Sequence, residues 1–222
     1  MIMEKKRLFN PYVGEEYEKG INGKKILVVG ASFYCNEKQC DHFNKCTNKE
    51  SRLYNKNCTA YQKIGRFLED APEIEIDEGY RYRAYKRFAK DMLNILGIES
   101  NDDYYETFWC KVAFTNYIQN ILPSWKTYSS YCSDVDIEAL SEVIEELKPM
   151  PDVIIVWGNI VSEPIKRNLC YDVDNQNATS GYVCHIKKGE KDIVLLNTYH
   201  PAYSKYKDNG NLEKYVKEVF CK

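Results

Sequence analysis

Polar side chains follow four apolar runs of this sequence, at the points where each run ends. The first run leads into Gly30 and Ser32, the second ends at Asn116, the third at Gly158, and the fourth runs into His200. An imidazole can donate or accept a proton, and an amide offers both a hydrogen-bond donor and an acceptor. These residue types suit the recognition of a polar ring, although a strand-end asparagine can also cap the next helix. A strand-end histidine, likewise, can simply bond a backbone carbonyl.

The four apolar runs predict buried strands, and amphipathic patterns between them predict helices. The runs are rich in β-branched residues and are bounded by glycine or proline. Buried strands that alternate with amphipathic helices favour an α/β fold, here a three-layer α/β/α sandwich around a short, mainly parallel central sheet. The predicted strands cover residues 24–30, 109–116, 151–158 and 191–199, and the predicted helices cover 80–97, 134–149, 160–170 and 211–220.

The order of these elements predicts where a ligand would bind. In open parallel α/β sheets, ligands bind beyond the carboxyl ends of the strands, so the strand-end polar residues should gather along one edge. The length of 222 residues predicts a single domain spanning 1–222. One long irregular stretch, about 35–62, is expected to form a cysteine-rich insertion loop after the first strand.

The strand-end motifs, taken in order, resemble those of the uracil-DNA glycosylase superfamily. The family's glycine-led motif after its first strand is matched by Gly30-Ala31-Ser32-Phe33-Tyr34, and "VAFTNY" supplies Asn116 where the family has a base-reading asparagine. The strand "VIIVWGN" and the later His200-Pro201-Ala202 are similar to the family's last two motifs. The resemblance spans about residues 25–203. It implies the family's fold and a pocket for a nucleobase that is flipped out of the DNA stack.

The resemblance also implies a role for each pocket residue. His200 would donate a hydrogen bond to the departing base and stabilise its negative charge, while Asn116 would read the edge of the base. Tyr34 would form a pocket wall, with Phe33 and Gly30 also beside the base.

The water-activating position departs from the family's pattern. Ser32 stands where the most active members carry Asp or Asn, and a neutral hydroxyl is a poor general base. Glu37 and Asp41, in the following loop, are alternative acids. This departure leaves open whether the protein excises a base or only binds one.

Aromatic and basic residues follow the histidine. Tyr203 and Tyr206 are candidates for a side chain that inserts into the DNA stack, with Ser204 and Lys205 on phosphates. The family's serine after His-Pro is alanine here. A second aromatic and basic segment, 80–87, is better interpreted as the start of a helix whose tyrosines pack inward.

Four cysteines crowd the predicted insertion loop. Cys35, Cys40, Cys46 and Cys58 have a spacing that matches no standard zinc knuckle, yet four thiolates within 24 residues could hold zinc or an iron–sulfur cluster. The alternative is a loop of unligated thiols. The remaining cysteines are scattered and are expected to be packing residues; they are Cys110, Cys132, Cys170, Cys184 and Cys221.

Composition limits the function only loosely. The formal net charge of −2 neither indicates nor excludes nucleic acid as a partner. The sequence shows no signal peptide or long apolar segment, so we expect a cytoplasmic protein that does not interact with membranes and keeps most of its nine cysteines reduced. We therefore expect a DNA glycosylase-like protein, with DNA or a nucleotide as ligand. The alternatives are a non-catalytic nucleobase-binding module and a metal- or redox-dependent protein.

Overall fold

The computed structural model describes residues 7, 9–35, 38–48, 83–99, 104–123, 129–174, 183–203, 206 and 210–220. Within these ranges the strands are β1 (Tyr12–Val13), β2 (Ile26–Gly30), β3 (Phe33–Tyr34), β4 (Ala113–Asn116), β5 (Ile121–Leu122), β6 (Val153–Trp157), β7 (Cys170–Asp174), β8 (Val183–Lys188) and β9 (Lys191–Thr198). The helices are α1 (Phe43–Cys46), α2 (Arg83–Leu96), α3 (Tyr104–Thr107), α4 (Asp134–Glu146), α5 (Asn159–Leu169) and α6 (Gly210–Phe220).

A seven-stranded sheet in the order β1-β4-β2-β6-β9-β8-β7 forms the centre of the protein. The four strands predicted from the apolar runs correspond to β2, β4, β6 and β9, which pair in parallel, but Trp109–Lys111, predicted as the start of the second strand, form a short 3-10 helix instead. The edges differ from the prediction, because β1 is antiparallel to β4, β8 to β9, and β7 to β8. The fold is therefore mixed α/β, with a parallel core between antiparallel edges.

Two separate hydrophobic clusters occupy the two faces of this sheet. Val28 belongs to one cluster and Val29 to the other, as expected for alternating residues of a strand. Helices α2 and α6 contribute buried residues to the first cluster, and α4 and α5 contribute to the second. Strands β2, β4 and β6 are buried along their whole length, which explains why they read as continuous apolar runs.

The helices confirm the predicted amphipathic segments. The buried positions of α2 recur at helical spacing, and Gly97, with φ of 66°, ends the helix in the left-handed region. None of the helices in the described ranges is long and apolar enough to cross a membrane.

Candidate functional site

The loops that follow β2 and β4 are joined into one unit at the carboxyl edge of the sheet. The backbone N–H of Tyr117 donates to the Gly30 carbonyl at 3.0 Å, and that of Ile118 donates to the Ala31 carbonyl at 2.9 Å. Strands β3 and β5 then pair in parallel, which places Phe33 opposite Ile121. Because these backbone groups satisfy each other, the glycine-led motif and the segment after Asn116 hold a common position.

Asn116 lies directly beside Gly30, its register partner on β2. A Cβ atom on Gly30 would lie 2.4 Å from Asn116 Oδ1 and 2.8 Å from Phe114 Cζ. Glycine is thus required here for the close approach of the asparagine side chain. Asn116 is only 5% exposed, and no hydrogen bond joins its side-chain amide to any residue that the structure describes. The amide donor and acceptor can therefore serve a ligand.

Gln119 and Asp136 fix the backbone of this segment. Gln119 Nε2 donates to the Asn116 carbonyl at 2.8 Å, and the Gln119 backbone N–H donates to Asp136 Oδ1 at 2.8 Å. The second carboxylate oxygen of Asp136 accepts from the backbone N–H and hydroxyl of Ser133 at the start of α4. Asp136 is fully buried, so these bonds offset the cost of burying its polar group.

His200 is held as a single neutral tautomer. The backbone N–H of Ala202 donates to His200 Nδ1 at 3.1 Å, so Nδ1 is an acceptor and the ring proton must reside on Nε2. Burial lowers the pKa of His200 from 6.5 to about 4. At neutral pH the side chain is therefore an uncharged hydrogen-bond donor through Nε2.

Asn116 and His200 lie on the same face of the sheet. The missing side chain of Gly30 leaves a notch on this face of the sheet, and the Asn116 side chain and the Phe114 ring fill it. The Phe114 ring is 5.6 Å from that of Trp157. The Trp157 ring, in turn, lies 5.7 Å from the His200 ring. The strands that carry Asn116 and His200 are three strand spacings apart, about 14 Å. This separation excludes direct contact but suits a ring-sized molecule that both side chains touch.

The sheet topology also marks this edge as a binding position. From β2 the chain moves to β4 on one side and later to β6 on the other, so the winding direction reverses between β2 and β6. Ligands of open α/β sheets bind at such reversal points. Gly30 and Ser32 follow β2 there, and Gly158 follows β6.

The predicted pocket residues after β2 separate into different surroundings. Ser32 is 8% exposed, and Phe33 is buried with its ring 4.5 Å from that of Phe9. Phe33 is therefore part of the hydrophobic core. Tyr34 is only partly buried and packs on the opposite cluster. We find no contact that ties Tyr34 to the notch beside Gly30 among the described residues.

No salt bridge or hydrogen bond joins His200 to a carboxylate of the described residues, and burial is the cause of its lowered pKa. Asp41 is exposed in the loop after β3, and Glu37 lies outside the described residues. Neither of the alternative acids predicted from the sequence is therefore found beside Ser32 in the part of the chain that the structure describes.

The segment after His200 only partly matches the predicted nucleic-acid contacts. Tyr203 is 49% exposed and follows a turn in which its backbone N–H donates to the His200 carbonyl. Tyr206 corrects the prediction, because it is 3% exposed and its ring lies 4.6 Å below the Arg87 guanidinium. Its apolar ring is buried in the core, which leaves Tyr203 as the exposed aromatic side chain. Ser204 and Lys205 lie outside the described residues.

Two residues of the site neighbourhood were not identified from the sequence. Arg87 on α2 donates from Nη1 to the Pro201 carbonyl at 2.8 Å, although the two residues are 114 positions apart. Trp157 supports His200 and also contacts Tyr85 and Phe88 of α2 at 5.2 and 5.0 Å. The inward packing of Tyr85 confirms the structural interpretation of segment 80–87 at that residue, and residues 80–82 lie outside the described residues. The residue spacing in segment 80–87 gave no signal for the role of Arg87, because Arg87 bonds the backbone carbonyl of Pro201.

The predicted metal ligands are not gathered in the described part of the chain. Cys35 is buried, whereas Cys40 and Cys46 are partly exposed, and Cys58 lies outside the described residues. No group of three or more His, Cys, Asp or Glu residues in the described ranges is arranged to hold a metal. The four-cysteine site stays a prediction.

One prediction about the other cysteines is wrong. Cys170 and Cys184 form a disulfide between β7 and β8, with their Cα atoms 5.9 Å apart, instead of acting as separate packing residues. Antiparallel pairing of β7 with β8 brings the two side chains together. Their separation of 14 residues gave no hint of this, because the two edge strands were not predicted.

Comparison with known proteins leaves the function to be inferred from this site. No protein-family model and no curated protein sequence matches the chain. The arrangement itself offers a neutral imidazole donor, an amide with no hydrogen-bond partner among the described residues and an aromatic support, at the edge where α/β sheets bind ligands. Together these groups can recognise a planar ring with polar edges.

Proposed function

We propose that the chain forms one three-layer α/β/α sandwich of the uracil-DNA glycosylase type, which binds a nucleobase flipped out of DNA and hydrolyses its N-glycosidic bond. Both faces of the sheet are covered and its four central strands are parallel, and these two features support the proposed fold. The neutral tautomer of His200 is the observation that carries the proposed activity. A histidine that donates through Nε2 at neutral pH is suited to stabilise a base that departs as an anion.

Asn116 recognises the base in this proposal. Its amide can donate to one atom of the base edge and accept from the neighbouring atom, as the edge of a pyrimidine requires. The glycine at position 30 leaves the space in which the Asn116 side chain lies. A base without this donor and acceptor pair leaves the amide unsatisfied and binds more weakly.

His200 acts on the opposite side of the base. As the bond to the sugar breaks, negative charge grows on the base and positive charge on the sugar. The Nε2–H of His200 donates to a base oxygen and stabilises that charge without transferring a proton. Ser32 can orient a water molecule through its hydroxyl, but it cannot deprotonate one at neutral pH. We therefore expect slow hydrolysis, driven mainly by stabilisation of the leaving base.

A non-catalytic function is the second candidate, and one observation favours it. Ser32, at the proposed water-activating position, carries no charge and Asp41 is exposed, so the described residues would stabilise the positive charge on the sugar poorly. In that case the protein binds the flipped base, or a free nucleotide, and releases no product.

A binding and release experiment separates these functions. Single-stranded and double-stranded oligonucleotides carrying one deoxyuridine, or one of a panel of damaged bases, are incubated with the protein, and released base is measured by mass spectrometry. Binding to the same oligonucleotides is followed by fluorescence anisotropy. Release that disappears in His200→Ala supports hydrolysis, and base-dependent binding without release supports the second function. Absence of both refutes the proposed pocket.

A further inference from the structure

Arg87 on helix α2 contacts the turn that carries His200. Arg87 Nη1 donates to the Pro201 carbonyl at 2.8 Å, and the Arg87 guanidinium lies 4.6 Å from the centre of the Tyr206 ring. Arginine suits this position because its planar group can stack on a ring while its edge donates a hydrogen bond. Both contacts are made to residues that follow β9.

Pro201 occupies the middle of the turn that sets the tautomer of His200. On one side of it, the Ala202 N–H donates to His200 Nδ1, and the Tyr203 N–H donates to the His200 carbonyl at 2.8 Å. The orientation of the Pro201 carbonyl is thus coupled to both hydrogen bonds. If this carbonyl is released, the Ala202 N–H can rotate away and Nδ1 loses its donor.

We propose that Arg87 is a positioning residue that keeps His200 in its Nε2–H tautomer by holding the Pro201 carbonyl. This inference rests on the proposed function only for its effect on ligand binding. Arg87 does not touch the base; it acts through the turn. Trp157 supports the His200 ring from beneath, and Arg87 fixes the backbone that carries it.

Nuclear magnetic resonance of the His200 ring tests the positioning directly. In the wild type, long-range ¹⁵N correlation should show an unprotonated Nδ1 and a protonated Nε2, with a pKa well below the usual range. In Arg87→Met, which keeps most of the apolar side chain, we expect mixed tautomers and a pKa that moves toward 6.5. Arg87→Lys, which keeps a charged donor, should retain most of the wild-type signal. Lys90→Met, on the same helix but exposed, is the matched control and should change neither.

A double-mutant cycle tests whether Arg87 acts through His200. The probe is a single-stranded oligonucleotide with one deoxyuridine, compared with its thymidine counterpart. We expect Arg87→Met to weaken binding by about 10- to 100-fold, the range for losing one hydrogen bond to a charged group. In a His200→Ala background the same substitution should have no further effect.

Three outcomes would overturn the role of Arg87: an unchanged His200 tautomer in a folded Arg87→Met variant, additive losses in the cycle, or an equal effect of Lys90→Met. If Arg87→Met does not fold, Tyr206→Leu removes the ring beneath the guanidinium and should produce a smaller change of the same His200 signals. If the wild type binds no probe, but Arg87→Met still changes the tautomer of His200, the proposed function is refuted and the positioning role of Arg87 is still supported.

Discussion

Replacing Gly30 with alanine should displace Asn116 without disturbing the backbone. The new Cβ would lie 2.4 Å from Asn116 Oδ1 and 2.8 Å from Phe114 Cζ, both closer than side-chain carbons are found to approach other atoms. The φ angle of Gly30 is not in the left-handed region that favours glycine, so the effect arises from the contacts alone. The asparagine amide must therefore rotate or shift away from the notch.

The expected magnitudes follow from these two contacts. Inserting a methyl group into a packed site costs about 1–3 kcal/mol of stability. For a protein of this size, that corresponds to a decrease in Tm of roughly 2–4 °C per kcal/mol. Loss of a well-aligned pair of hydrogen bonds to a base costs about 1–3 kcal/mol in binding, or roughly 5- to 150-fold in Kd.

Calorimetry and fluorescence anisotropy with the deoxyuridine oligonucleotide measure both effects. Gly189→Ala is the matched control: its φ of 60° is strained for alanine, but it lies in the β8–β9 turn with no atom near the added Cβ. It should lower Tm without changing Kd. In an Asn116→Ala background, Gly30→Ala should not weaken binding further. A Gly30→Ala protein that binds as tightly as the wild type would refute the assignment of Asn116 as the base-reading residue.

Three further predictions concern groups that affect the stability of the fold. The pKa of His200 is lower in the folded state than in the unfolded state, so the free energy of unfolding should decrease by up to about 3 kcal/mol as pH falls from 6.5 toward about 4. Chemical denaturation at several pH values measures this decrease, which should be smaller in His200→Ala. Replacing both Cys170 and Cys184 with alanine removes a cross-link between residues 14 positions apart and should lower the free energy of unfolding by about 3 kcal/mol. If neither this double substitution nor a reductant changes the Tm, the disulfide is contradicted. Asp136→Ala removes the acceptors of the Gln119 and Ser133 groups and should lower the free energy of unfolding by about 1–3 kcal/mol and weaken probe binding, whereas a change in neither quantity would show that Asp136 does not hold the segment after Asn116.

The central part of the fold could be predicted because its physical signals are local. Strands β2 and β6 are buried on both faces and therefore appear as unbroken apolar runs. The helices show their buried stripe at helical spacing, and Gly97 marks the end of α2. The position of Asn116 and His200 at one edge followed from strand order alone, since parallel strands end at the same edge.

The parts that could not be predicted depend on contacts between distant segments. The antiparallel edge strands β7 and β8 contain exposed residues such as Tyr171, Asp172 and Lys187, so they show no continuous apolar run, and the Cys170–Cys184 disulfide depends on their pairing. Tyr206 is buried in the hydrophobic core beneath Arg87, which its position in a polar segment does not reveal. The tautomer of His200 depends on one backbone N–H two residues away, a detail of turn geometry that residue types do not specify.

The most direct test of the proposed pocket is the binding of deoxyuridine and thymidine oligonucleotides to the wild type, His200→Ala, Asn116→Ala and the Lys90→Met control, with released base measured in the same samples. The proposal predicts that the wild type and Lys90→Met distinguish the two bases, and that each pocket substitution removes this difference together with any base release. Equal binding of both oligonucleotides by the wild type, with no base released from the wider panel of damaged bases, would contradict it.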